Sequence, residues 1–252
     1  MSLALLGTWL AAVGAGDLAR ASYDVVSPRR AAACIAVGLG VLLAGLLVLD
    51  LEPARVLLLW VLLGSLQAVW LLGSALAVGP DRTGPWRDRA RALALLALGA
   101  GAVAAVLGAA LLTTEPTLPT RLAGTVLGRW PVSDVVVATG VVLVQLASAN
   151  VAVRLVLDAV GVPATSNEKQ LKGGRVLGPM ERLFIVGLGA VGELTAAAVV
   201  IAAKGLLRFP ELQRAQQQRP PAGPSDVTEY FLVGSFASWL VALGGAALIH
   251  LA

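Results

Sequence analysis

The stretch RLFIVGLGAVGELTAAAVVIAAK, running from Arg182 to Lys204, decides how this chain is read. Between its two terminal cations it carries a single charge, Glu193. About 20 apolar residues in a helix cross a hydrocarbon core of about 30 Å, so the run at 182–203 predicts a membrane span with a carboxylate at its middle. Arg182 and Lys204 each lie eleven residues from Glu193. At about 100° per residue, eleven residues return to within roughly 20° of the same face. The run therefore predicts one straight helix with Arg182, Glu193 and Lys204 on one face and Arg208 a turn further. Steps of about 16 Å along the axis are too long for these groups to pair with each other. Glu193 then needs a partner on another helix, or a proton.

Working outward, five more runs meet the same standard, at about 31–49, 55–78, 91–112, 134–157 and 229–251. A shorter run at 3–16 ends at Asp17 and has no Lys or Arg before it. It is expected to be a first helix with Asp17 near an interface, or else a half-inserted segment, and not a cleaved leader. The expected fold class is all-α: a polytopic transmembrane helix bundle of seven spans, or six if the N-terminal segment does not cross. Residues 1–252 read as a single integral membrane domain. The first five helices fall within 1–157 and the last two within 173–252. Residues 209–228, with Pro210, Pro220, Pro221 and Pro224 around three glutamines, read as a flexible loop.

Composition agrees. Of 252 residues, 58% are apolar and 13% charged, and the mean hydropathy is +0.83. Soluble chains run nearer 45–50% and about 25%, so lipid must solvate part of this surface. A single cysteine, Cys34, excludes an intrachain disulfide, and a single histidine, His250, argues against a zinc or haem site. No phosphate-binding loop, dinucleotide fingerprint or nucleophile elbow is present. No cofactor, metal or catalytic residue is expected. The net charge of +4 reads as topology and not as nucleic-acid binding, because the cations fall between apolar runs. With every run crossing once, twelve basic residues lie on one side and seven on the other. The richer side is cytoplasmic by the positive-inside rule. The expected location is the inner (plasma) membrane of a bacterial cell, with the C-terminus inside. The weak point is the last connection, which leaves Lys204, Arg208, Arg214 and Arg219 outside: either Lys204 and Arg208 lie inside the protein at the helix end, or 182–203 does not cross simply.

Small residues recur every four positions in several runs: Gly7, Ala11 and Ala15; Ala32, Ala36, Gly40 and Ala44; Gly101, Ala105 and Ala109; Gly234, Ser238, Ala242 and Ala246. Such stripes let helix backbones approach where no hydrophobic effect drives association. They are expected to be packing seams, within the chain, between copies or against a membrane partner. Beyond these, the bilayer itself is the expected partner.

Polar residues within and beside the runs supply a candidate network: Arg175, Glu181, Arg182, Glu193, Lys204, Arg208, Glu229, Tyr230, Asn150 and Arg154. Ser235 and Ser238 could join it from the last run. Arg154 and Asp158 are spaced to pair with each other. Gly178 and Pro179 read as a helix start, with Glu181 in the first turn and Lys204 at the far end, both favoured by the helix dipole. A bridge from Lys204 or Arg208 to Glu229 is expected. The network supports two readings, a binding or proton site around Glu193 and a buried bridge that fixes helix packing.

Three ordered motifs carry a family resemblance. Gly174-Arg175-Val176-Leu177-Gly178-Pro179-Met180-Glu181-Arg182-Leu183 is similar to a G-x-x-I-G-x-x-E-R-x-L-I pattern. Ala203-Lys204-Gly205-Leu206-Leu207-Arg208-Phe209 is similar to A-K-S-I-x-R-F, and Glu229-Tyr230-Phe231-Leu232-Val233-Gly234-Ser235 opens like E-Y-x-x-I-G-T-x-x-S. Over about residues 173–241 the chain resembles a family of small bacterial multi-pass membrane proteins known as domain of unknown function 3307. The resemblance implies an integral membrane helical protein and no particular activity. That family often places an amide near the position of Glu193.

The leading functional expectation is transport or conduction of an ion or small polar solute around Glu193. The alternative is a non-catalytic membrane subunit, assembly factor or regulator. A membrane enzyme would need converging acid, base and nucleophile, and no second carboxylate sits at such a spacing near the basic residues.

Overall fold

Eight α-helices are described: α1 (Ala4–Arg20), α2 (Pro28–Val48), α3 (Pro53–Val78), α4 (Pro85–Gly108), α5 (Val132–Ala159), α6 (Gly174–Ala190), α7 (Leu194–Gln217) and α8 (Asp226–Leu251). The computed structural model describes residues 3–20, 27–78, 84–111, 130–161, 174–217 and 226–252. No strand occurs among the described residues. Five helices are long and apolar enough to cross a membrane: α2, α3, α4, α5 and the Glu229–Leu251 part of α8. α5 carries a π turn at Val144–Ser148. The chain forms two compact units, Met1–Ser148 with Leu248–Ala252, and Ala149–Ala247. Residues of α5 fall in both units.

In the first unit α1 is the interior helix. It packs against α2, α3, α4 and the first part of α5, and thirteen of its seventeen residues are buried. A helix that is apolar all round belongs inside. Asp17 lies in the last turn of α1. The helix continues to Arg20, and both side chains are buried as an i, i+3 ion pair of 3.1 Å. Trp70 Nε1 donates to Asp17 Oδ2 at 2.8 Å, and Arg20 Nη1 donates to the Leu71 carbonyl at 3.2 Å. Burying either charge alone would cost several kcal/mol. Together they tie α1 to α3.

Small residues make the close approaches. A Cβ on Gly7 would lie 2.7 Å from the Val137 backbone, so only glycine lets α1 meet α5 there. Gly101, Ala105 and Ala109 are buried as expected, as are Ser238, Ala242 and Ala246 in the second unit. Within the chain the α2 stripe is not packed: Ala32, Ala36, Gly40 and Ala44 are exposed, and the buried stripe is Ala31, Cys34, Gly38, Leu42 and Leu46. The outward faces carry large apolar side chains instead, such as Leu57, Leu58, Leu96 and Leu107, each more than 60% exposed. With Asp17, Gln67 and Ser74 buried, this distribution suits lipid better than water.

The second unit overturns the central expectation. The run at 182–203 is not one helix. α6 ends at Ala190, and Gly192 adopts a φ of +82°, a conformation that suits a residue without a Cβ. Glu193 N donates to the Leu188 carbonyl at 2.8 Å and Gly192 N to the Gly189 carbonyl at 3.1 Å. This is the Schellman pattern that terminates a helix. The Glu193 carbonyl then accepts from Ala197 N at 3.1 Å and begins α7. Arg182, Glu193 and Lys204 therefore do not share a face. Instead α6 and α7 fold back as an antiparallel hairpin, because Lys204 Nζ lies 2.6 Å from Glu181 Oε2. One straight helix would hold those residues about 34 Å apart. Two further differences are local. Pro179 lies inside α6 and not at its start, since the helix already begins at Gly174. The flexible loop expected at 209–228 is helical to Gln217 and again from Asp226, because Glu, Leu, Gln, Arg and Ala after Pro210 are good helix formers. Residues 218–225 of that loop lie outside the described residues.

Packing at the α1–α5 approach is open to a direct check. Gly7→Ala should destabilise the protein by roughly 1–3 kcal/mol, read as thermal unfolding in detergent. Gly40→Ala, with nothing within 4 Å of the added carbon, should be neutral or slightly stabilising through helix propensity.

Candidate functional site

The candidate site lies within the second unit, where four helical segments meet. On a helix, consecutive residues point about 100° apart. Glu181 and Arg182 are consecutive, so their opposite charges are sent to different neighbours. Ser238 and Trp239 are consecutive on α8 for the same geometric reason, and the two dipeptides meet two on two.

Arg182 is 2% exposed. Its Nη2 donates to Asn150 Oδ1 on α5 at 2.7 Å, and its Nη1 donates to Ser238 Oγ at 3.1 Å. The planar guanidinium suits this role, because its N–H groups diverge in fixed directions toward separate helices. Glu181 faces the other way. Its Oε1 accepts from Trp239 Nε1 at 2.7 Å and its Oε2 meets Lys204 Nζ at 2.6 Å. Lys204 Nζ also lies 5.9 Å from the centroid of the Trp239 ring, within cation–π range. The Glu181 and Lys204 side chains are 11% and 24% exposed. A pair this dry is weakly screened, and losing one member strands the other. Helix seams complete the contact. A Cβ on Gly189 would lie 2.7 Å from Ala246 Cβ, and Gly234 sits against Leu157.

Of the ten expected network residues, the fold brings together Asn150, Glu181, Arg182 and Lys204. Glu193 is apart from them, exposed in the turn between α6 and α7. Lys204 bridges to Glu181 and not to Glu229, since the hairpin sets α6 beside α7 at that level. Glu229 and Tyr230 are half-buried at the start of α8, and Arg154 is half-buried on α5. The side chains of Arg175 and Arg208 lie outside the described residues. Trp239 was not foreseen; its one legible signal was its place beside Ser238 in a small-residue seam. The Asp17–Arg20–Trp70 cluster of the first unit was also missed, although an i, i+3 pair of opposite charges could have suggested it.

Beside the cluster, α5 and α8 border a groove of about 690 Å³ lined by Val153, Val156, Phe231, Leu232, Phe236 and Leu240. Its lining is apolar. No group of three metal-ligating side chains occurs among the described residues. The arrangement holds helices together and offers no nucleophile with a base beside it. No protein-family model, curated protein or solved structure matches the chain.

The Glu181–Lys204 pair predicts strong coupling. Glu181→Gln or Lys204→Met alone should each cost roughly 3 kcal/mol, and the double substitution clearly less than their sum, measured by thermal unfolding in a double-mutant cycle. Arg182→Lys should destabilise despite keeping the charge, because one ammonium cannot reproduce the two divergent bonds.

Proposed function

We propose that the chain is a non-catalytic component of the bacterial inner membrane, which works by holding membrane partners or its own copies. The supporting observation is how its ionisable side chains are used. Glu181, Arg182 and Lys204 are each engaged between helices, as in a clamp. A carrier built around Glu193 would need that carboxylate inside the bundle and facing a polar path. It stands exposed in a turn, and the groove between α5 and α8 is apolar. In this reading α1 crosses the membrane together with the five long apolar helices.

The resemblance to domain of unknown function 3307 is read the same way. Glu181 and Arg182 stand in its first motif, Lys204 in its second, and Ser238 falls on the closing serine of its third. Four residues that carry the resemblance thus belong to the clamp, so in this reading part of what the motifs share is a way of joining helices.

The test is reconstitution of the purified protein in lipid vesicles. Proton, alkali-cation and chloride flux should stay at the level of empty vesicles for the wild type and for Glu193→Gln alike. In lipid nanodiscs taken directly from membranes, the protein should run in an assembly larger than one chain of 25.7 kDa. A flux that Glu193→Gln abolishes, or a lone chain under every condition, overturns the reading.

A further inference from the structure

The hairpin has a consequence for the two faces of the membrane. A helix that crosses once delivers the chain to the other side, whereas a hairpin returns it to the side it left. Glu181 and Lys204 face each other at 2.6 Å, and the turn at Gly192 is built by Schellman bonds. The start of α6 and the end of α7 are therefore at the same end of the hairpin. α6 runs parallel to α8, since Arg182 meets Ser238 and Gly189 meets Ala246. Its seventeen residues rise about 25 Å, most of a bilayer core. The turn thus lies level with the last turns of α8, near the C-terminus. Val191, Gly192, Glu193 and Leu194 are all exposed there, a natural place for a lone carboxylate to meet water.

We propose that α6 and α7 form a membrane hairpin whose open end lies on the cytoplasmic face and whose tip, with Glu193, lies on the opposite face together with the C-terminus. The distribution of basic residues supports it. When 182–203 is taken as a single crossing, basic residues divide twelve to seven. With the hairpin returning to its own side, sixteen of the nineteen Lys and Arg share one face, and only Arg55, Arg121 and Arg129 remain on the other. Lys204, Arg208, Arg214 and Arg219, which a single crossing leaves outside, join the basic side. Positive residues are retained on the cytoplasmic side, where the leaflet is also anionic, so the hairpin removes the one conflict in the charge pattern. It also puts the C-terminus on the side opposite to the one a single crossing gives.

The inference rests on the membrane reading above, and one experiment separates the two. In a Cys34→Ala background, single cysteines replace Ser166 and Ala222, which flank the hairpin in sequence, and Glu193 and Ala252. Intact cells are treated with a membrane-impermeant maleimide before and after permeabilisation. Glu193→Cys and Ala252→Cys should label before permeabilisation, and Ser166→Cys and Ala222→Cys only after it. Labelling of Ser166→Cys and Ala222→Cys from opposite sides overturns the hairpin, and labelling of both from outside overturns its orientation. Release of the protein from membranes by alkaline carbonate would instead overturn the membrane reading itself.

Discussion

A charge taken out of water costs several kcal/mol unless another group meets it, and this constraint organises both halves of the chain. Asp17 and Arg20 are buried as a pair and reach α3 through Trp70 and the Leu71 carbonyl. Glu181 and Lys204 join α6 to α7, and Trp239 brings in α8. Arg182 joins α6 to α5 and α8 through Asn150 and Ser238. In each case the polar contact lies between helices, where lipid would offer no substitute. Because the alternative to each contact is an uncompensated charge, these few groups constrain helix arrangement more tightly than apolar packing does.

Apolar packing then fills in around those contacts in the manner of a protein solvated by lipid. Without a hydrophobic difference between helix faces, close approach is what separates a good neighbour from a poor one. Gly7 against Val137 and Gly189 against Ala246 are such approaches, and the large side chains that would block them point outward. The π turn at Val144–Ser148 falls where the first packing unit gives way to the second. Adding a residue to a helical turn shifts the register of its faces, so the faces of α5 before and after this turn are out of phase.

Much of this was legible in the residues. The long apolar runs correspond to five helices able to cross a membrane, because length and apolarity alone decide that property. The α4 and α8 seams were legible too, since a four-residue repeat of small side chains marks a helix face. The α2 repeat marks a face that the chain itself does not cover. Periodicity says which residues share a face, and says nothing of whether that face meets protein or lipid. In the candidate site, Asn150, Glu181, Arg182 and Lys204 were recognisable as polar groups in apolar surroundings. Ser238 was recognisable as well, but Trp239 and the pairing of Glu181 with Lys204 were not, because Glu181 and Trp239 are 58 residues apart in the chain.

What the sequence determined by itself is the class of object: an all-helical chain too apolar for water, with few charges placed where each needs a partner. What only the tertiary structure decided is the path of the chain through 182–204. Hydropathy sums over a window and is blind to direction, so an apolar helix and two apolar half-length segments joined by Val191-Gly192-Glu193 have the same sum. The choice between them was made by a left-handed glycine and by a salt bridge between residues 23 positions apart, and both are properties of the folded chain.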